Sequence, residues 1–268
     1  MNFFQLMILA VVQGITEFLP ISSDGHLVIV GEYFKQSGAR MDLPAVVVAL
    51  HAGTLLSIIV FYWRRLWSLL WEDRRVIPLL IVGTIPAVIF GLTMKYTSLK
   101  QQLENPVLAG AMLLVTGGCL LWAQRQPVGT EDYRQMPWWR ALYIGIAQAT
   151  AILPGLSRSG TTISSALALG LTRESAATFS FVLGVPAIAG AVLLEIKDMV
   201  KAYRTTGDFT LGVDPTHLAI AIVVSFVVGL FSIWCLVRVL ERGKLSWFGY
   251  YCLILGVGVL IWQGMKSA

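Results

Sequence analysis

Six stretches of this chain, at about 45–63, 76–94, 106–123, 176–194, 217–238 and 247–263, are predominantly apolar. Each is long enough to cross about 30 Å of hydrocarbon as a helix. Tyr62-Trp63-Arg64-Arg65 and Trp247 supply the interfacial aromatics and charges expected at their flanks. Only 13% of the 268 residues are charged and 56% are hydrophobic, about half the ~25% charge of soluble domains. With a mean hydropathy of +0.74, the chain reads as an all-α polytopic membrane protein in a single membrane domain, surrounded by lipid. The net charge of +5 is scattered over short loops without a basic block, which argues against nucleic acid as a partner. Cys119, Cys235 and Cys252 lie in apolar runs at no metal-ligand spacing and read as inert thiols. Met1-Asn2-Phe3-Phe4 has no cationic leader, so the N-terminus reads as mature.

Residues 3–30 and 140–170 do not read as simple spans. Each is apolar but broken near its middle, at Leu19-Pro20 and Leu153-Pro154. Proline disfavours helix at the residue before it, and a following Ser can cap a new helix. Helix, break, helix, with too few residues for two crossings, predicts a re-entrant hairpin. Such non-helical backbone is tolerated at membrane depth where it lines a polar cavity.

Both breaks carry Leu-Pro-x-x-Ser, aligning Pro20 with Pro154 and Ser23 with Ser157. A second echo aligns Gly83-Thr84-Ile85-Pro86-Ala87 with Gly184-Val185-Pro186-Ala187. Each half therefore reads as one hairpin and three spans, repeat 1 over about 1–123 and repeat 2 over about 140–265. Three is odd, so the second half enters the membrane inverted, which brings broken-helix tips together near the midplane. Arg64, Arg65, Arg74, Arg75, Arg125, Arg134, Arg140, Arg173, Arg238, Arg242 and Lys244 fall on one side. Lys35, Arg40, Lys95, Lys100, Lys197, Lys201, Arg204 and Lys266 fall on the other. The first side is expected to be cytoplasmic, with both termini external.

Two polar clusters occupy the breaks. Ionisable groups in bilayer-buried sequence cost roughly 2.5–3.5 kcal/mol each on insertion scales, so they mark function. Gln13 and Glu17, four residues apart, share a helix face. They can bind a divalent cation, or Glu17 can act as a base or orient one. Ser22, Ser23 and Asp24 open the helix that carries His26, where unpaired N–H groups suit an oxyanion. N-capping by Ser or Asp is the plainer account of any one of these residues. In the second tip, Arg158 offers a planar fork of donors, with hydroxyls on Ser157, Ser159, Thr161 and Thr162 around it. Together the clusters hold what is needed to grip and attack a phosphate. Gln148 is either a further polar contact or a packing residue. His51 and His217 read as structural.

These motifs resemble the bacterial undecaprenyl-diphosphate phosphatases, the bacitracin-resistance family of integral membrane enzymes. The family's Gln/Glu-x-x-x-Glu signature stands at Gln13 to Glu17, Pro-x-Ser-Ser-x-Gly-His at Pro20 to His26, and Pro-Gly-x-Ser-Arg-Ser-x-x-Thr at Pro154 to Thr162. The resemblance implies removal of the terminal phosphate from a polyprenyl diphosphate lipid, returning the carrier lipid to cell-wall synthesis. It implies an inverted-repeat fold, a bacterial inner-membrane location, a site facing the periplasm, and a homodimer. It assigns functional positions to Glu17, Ser23, His26 and Arg158, and phosphate contacts to Ser157, Ser159 and Thr162. Ser22 joins them as a substrate-binding candidate. A divalent cation, Mg²⁺ or Ca²⁺, is expected at Glu17, with Gln13 and Asp24 as further metal candidates. Gln13 stands where many members have Glu, leaving one fewer charge for that cation. Asp24 stands where Ser or Thr is expected, and its carboxylate would repel phosphate unless a cation or Arg158 intervenes. With those roles, Ser23 is expected as nucleophile, with His26 as its base and Glu17 orienting it or binding metal. Direct attack by His26, or by a water it activates, stays open. The rival expectation is a transporter of lipid phosphates or other anions, because broken helices in inverted repeats also serve transport.

Overall fold

Asn105-Pro106 and Asp214-Pro215 show how the spans begin. Asn105 accepts a hydrogen bond from the Val107 amide, and Asp214 from those of Thr216 and His217. The proline that follows each occupies the first helical position, where its missing N–H costs nothing. Asn2 and Gln5 form a capping box at the first helix, and Thr172 accepts from the Ser175 amide at another helix start.

The computed structural model describes residues 1–36, 43–97, 105–206 and 213–267. Among these are eleven α-helices: α1 Phe3–Thr16, α2 Ser23–Gln36, α3 Leu43–Phe61, α4 Trp63–Trp71, α5 Val76–Tyr96, α6 Pro106–Gln124, α7 Trp138–Thr150, α8 Arg158–Ala168, α9 Arg173–Thr206, α10 Pro215–Glu241 and α11 Ser246–Ser267. An isolated bridge between Glu131 and Leu171 is the only β pairing among the described residues. Helices α5, α6, α9, α10 and α11 are each long and apolar enough to cross a membrane. The sixth expected span is α3, which meets the test jointly with α4 across a 67° bend. The chain is thus a multi-pass membrane protein. Both expected hairpins are present as helix pairs, α1 with α2 and α7 with α8.

Glycines let these helices approach closely, as small residues do in lipid, where no hydrophobic gradient drives association. Helix α6 lies on α11, and a Cβ at Gly117 would stand 2.8 Å from the Gly249 carbonyl. Helix α5 lies on α7, and a Cβ at Gly145 would run into the Gly83 carbonyl. Helix α10 packs on both α1 and α3, with Gly14 against Ser225 and Val228. Between these pairs the buried rings of Phe18, Phe179 and Phe181 and the side chains of Ile58, Leu113, Ile144 and Ile163 fill the space around the two hairpin tips.

Charged residues of the two sets are held by ion pairs and by aromatic rings. Arg65 pairs with Asp73 and donates to the Tyr133 hydroxyl, and Arg140 pairs with Glu131. Arg64, Arg74, Arg140, Arg238 and Lys244 lie over the rings of Trp63, Trp71, Trp139, Trp234 and Trp247, respectively. In the second set, Lys95 pairs with Asp198 and Lys266 with Glu32. Arg40 and Lys100 lie outside the described residues.

One expectation needs correction. The echo of Gly83–Ala87 in Gly184–Ala187 links α5, the second span after its hairpin, to α9, the first span after the other. It is therefore not the register of a repeat. A Cβ on Gly83 would instead lie 2.9 Å from Leu183 Cδ1, so the two segments pack against each other.

Gly145→Ala should push α7 off the α5 backbone at a cost of about 1–3 kcal/mol. Gly118→Ala, which meets nothing within 4 Å, should be neutral, and thermal melting of both variants in detergent checks the contrast.

Candidate active site

Helix α1 ends at Thr16, and the Glu17 amide still bonds the Gln13 carbonyl at 3.0 Å. The chain then turns to a left-handed residue, Ser22, with φ of 70°. That strained conformation is held by two bonds. The Ser22 hydroxyl oxygen accepts from the Gly25 amide at 3.2 Å, capping α2, and from the Gly155 amide of the other hairpin at 3.1 Å. A Cβ on Gly25 would stand 2.8 Å from Gly155 Cα, so two glycines are what let the tips cross. Gly155 has φ of +92°, and a Cβ there would run into the Ala109 carbonyl.

Thr116 of α6 braces the second tip. Its hydroxyl donates to the Gly155 carbonyl at 2.8 Å and accepts from the Ser157 amide at 3.0 Å. The Ser157 hydroxyl oxygen in turn accepts from the Gly160 amide at 3.1 Å and caps α8. Ser159 donates to the Leu19 carbonyl of the first tip, and Thr162 bonds the Arg158 carbonyl and the Ser180 hydroxyl. All three of these side chains are buried. Their hydroxyls fix the first turn of α8, and through it the position of Arg158.

The two clusters meet in a buried ion pair. Arg158 Nη2 donates to Glu17 Oε1 at 2.8 Å. Glu17 Oε2 accepts from the Ser23 hydroxyl at 2.6 Å and from Gln13 Nε2 at 3.1 Å. Arg158 Nη1 is buried without a partner and lies against Gly184, where a Cβ would run into it. A buried guanidinium nitrogen with no acceptor is costly.

The sequence pairs Ser23 with His26; the structure does not. His26 Nδ1 lies 2.7 Å from the Ser22 carbonyl and Nε2 lies 2.8 Å from the Tyr251 hydroxyl. Bonding to the preceding turn directs the imidazole toward α11, leaving the Ser23 hydroxyl to Glu17. His51 also departs from its structural reading, because its Nε2 lies 3.6 Å from Glu17 Oε2 and 3.9 Å from Asp24 Oδ1. A histidine inside an apolar span is itself a costly ionisable group, and that signal was legible in the sequence. Thr116, Gly184 and Tyr251 gave no such signal. His217 lies beside Phe3 at the start of α10, with ring centroids 4.8 Å apart and planes tilted by 54°, in keeping with a structural role. Gln148 is buried with both amide atoms unpartnered. A cavity of about 230 Å³ between Gln126–Glu131 and Leu167–Gly170 includes none of these groups.

The donor chemistry suits a hard divalent cation, which takes oxygen ligands. Gln13 Oε1 is buried without a hydrogen-bond partner, and the amide nitrogen of that side chain bonds Glu17. Among the described residues no group of three or more His, Cys, Asp or Glu could by itself hold a metal ion. Such an ion would therefore draw part of its shell from phosphate and water oxygens, as Mg²⁺ commonly does.

Thr116→Val keeps the shape of the side chain but strands the Gly155 carbonyl and Ser157 amide. Thermal unfolding in detergent should show a loss of about 1–3 kcal/mol.

Fold and site together define a polytopic membrane protein in which two helix breaks meet at a Glu17–Arg158 ion pair. The chain belongs to the bacitracin resistance protein BacA family, whose model matches residues 6–258. It is 45% identical to a protein of Rhodopirellula baltica over 257 residues, 96% of each chain. It is 37% identical to one of Carboxydothermus hydrogenoformans over 268 residues, 98% of each chain. A third, from Halothermothrix orenii, is 37% identical over 272 residues, 99% of this chain and all of its own. All three relatives are named undecaprenyl-diphosphatase.

Proposed function

We propose that this protein hydrolyses undecaprenyl diphosphate to undecaprenyl phosphate and inorganic phosphate, recycling the lipid carrier of peptidoglycan synthesis and conferring bacitracin resistance. The observation that carries the chemistry is a single carboxylate, Glu17, bonded to Arg158 at 2.8 Å and to the Ser23 hydroxyl at 2.6 Å. A nucleophile, its base and a phosphate-binding cation thus share one centre, which is the pattern of an activated hydroxyl. The shared name of the relatives favours hydrolysis over transport.

In this reading Glu17 takes the proton as Ser23 Oγ attacks the terminal phosphorus. The bond from that phosphorus to the bridging oxygen breaks, and the lipid monophosphate leaves. Water then cleaves the phosphoserine, releasing phosphate and restoring the hydroxyl. Arg158 receives a phosphoryl oxygen on Nη1 while Nη2 keeps Glu17 in place, a placement that stabilises charge as it develops. Ser22, Ser157, Ser159 and Thr162 act through the tips they hold, whose helix-end N–H groups suit the same oxygens. His26, lodged between the Ser22 carbonyl and Tyr251, steadies the turn that presents Ser23. A divalent cation would be held by Glu17, Gln13 Oε1 and Asp24, and would supply positive charge against the diphosphate.

The architecture proposed with this function has six transmembrane helices and two re-entrant hairpins in an inverted repeat, repeat 1 over about 1–123 and repeat 2 over about 140–265. Reciprocal packing supports it. Helix α5 lies on α7 as α10 lies on α1, while α6 lies on its counterpart α11 and α3 on its counterpart α9. The Arg-rich end is proposed as cytoplasmic in a bacterial inner membrane, with the site reached from the periplasm and the chain forming a homodimer.

Purified protein in detergent should release phosphate from undecaprenyl diphosphate. Glu17→Ala, Ser23→Ala and Arg158→Ala should each lower kcat on the order of 10²–10³-fold, and EDTA should suppress the wild-type rate. Gly184→Ala should lower kcat as well, by displacing Arg158. Folded wild-type protein that releases no phosphate would overturn the proposal.

A further inference from the structure

His51 projects from α3 into the centre described above, yet no step of the proposed reaction uses it. Its two ring nitrogens have different duties. Nδ1 lies 2.8 Å from the Val47 carbonyl one turn earlier, so Nδ1 carries a hydrogen. Nε2 faces two carboxylates, Glu17 Oε2 at 3.6 Å and Asp24 Oδ1 at 3.9 Å. The imidazole is 19% exposed, the Glu17 side chain 6% and the Asp24 side chain 52%. The ring therefore joins a buried acid to one at the mouth of the site.

Glu17 needs such a contact. One of its oxygens is held by Arg158 and the other by Ser23 and Gln13. When a phosphoryl oxygen draws on Arg158 and the Ser23 proton moves, two of those three holds weaken together. Asp24 raises a second difficulty, because a carboxylate beside an anion site opposes its ligand. Acceptors lie on both sides of the ring, the Val47 carbonyl at Nδ1 and the two carboxylates at Nε2. They call for a hydrogen on each nitrogen, and the imidazolium so formed eases the repulsion and gives Glu17 a hold independent of the substrate.

We propose that His51, oriented by Asp24, is a positioning residue for the Glu17 carboxylate. The inference rests on the hydrolase reading above and adds to it a second acid and an imidazole that act through Glu17, without touching phosphorus.

Side-chain mimicry separates this role from a purely structural one. Asparagine places an amide nitrogen near the position of Nδ1 and can keep the Val47 bond. Glutamine carries its N–H out to the position of Nε2. Phosphate release from undecaprenyl diphosphate by the purified full chain should fall about 10- to 100-fold in kcat for His51→Ala and His51→Asn, the scale of a misplaced catalytic group. KM should hardly move, since the lost interaction acts on the reaction step. His51→Gln should recover most of the rate. At saturating Mg²⁺, which offsets a weakened cation site, Asp24→Asn should lower kcat by itself and add little in the His51→Ala background, the signature of coupled residues. Full activity in His51→Ala, or rescue by asparagine and not by glutamine, would overturn the role of His51. Additive losses at the two positions would overturn the part given to Asp24. These outcomes are distinct from failure of the hydrolase reading, in which the wild-type protein itself releases no phosphate.

Discussion

Glu17 and Arg158 are separated by 141 residues in sequence and by 2.8 Å in space. Neither charge is stable in such surroundings alone: breaking a buried pair by removing one partner typically costs about 3–5 kcal/mol. The fold reads as the set of contacts that makes this pairing possible. Gly25 and Gly155 let the two tips cross, Thr116 braces one tip, and the Ser22 hydroxyl ties one to the other. Gly184 leaves space for the guanidinium behind.

A pair buried in this way is poor at adding stability, because desolvation offsets most of its attraction. Its use is different. It holds a carboxylate, a hydroxyl and a guanidinium in fixed relation. Arrangements of that kind do not need to reorganise as charge develops on a phosphoryl group. The unpartnered Arg158 Nη1 and Gln13 Oε1 fit the same logic, since they are costs in the empty protein that a bound ligand can relieve.

Much of the architecture was legible from apolar run length. All six expected spans coincide with helices, because satisfying backbone groups in hydrocarbon leaves few alternatives. Hairpin tips were legible from Leu-Pro-x-x-Ser, and the charged residues of the site from their cost in lipid. The pairing of side chains was not. Ser23 lies three residues from His26, and nothing in that spacing reveals that His26 is turned toward Tyr251 on α11. His51 was passed over because it stands alone in its span, far in sequence from either cluster. The glycine echo misled for a related reason, as its two segments pack against each other and are not two copies of one unit.

Sequence alone therefore determined the membrane class, the helical content, the two interruptions and the identity of most of the polar groups that meet between them. Each of these follows from local composition measured against the cost of placing polar atoms in hydrocarbon. Tertiary structure alone decided which hydroxyl meets which acid, which arginine nitrogen is left open, and which histidine joins the centre. Those choices depend on where α3, α6, α9 and α11 pass the crossed tips, and so on close approaches between residues that are remote along the chain.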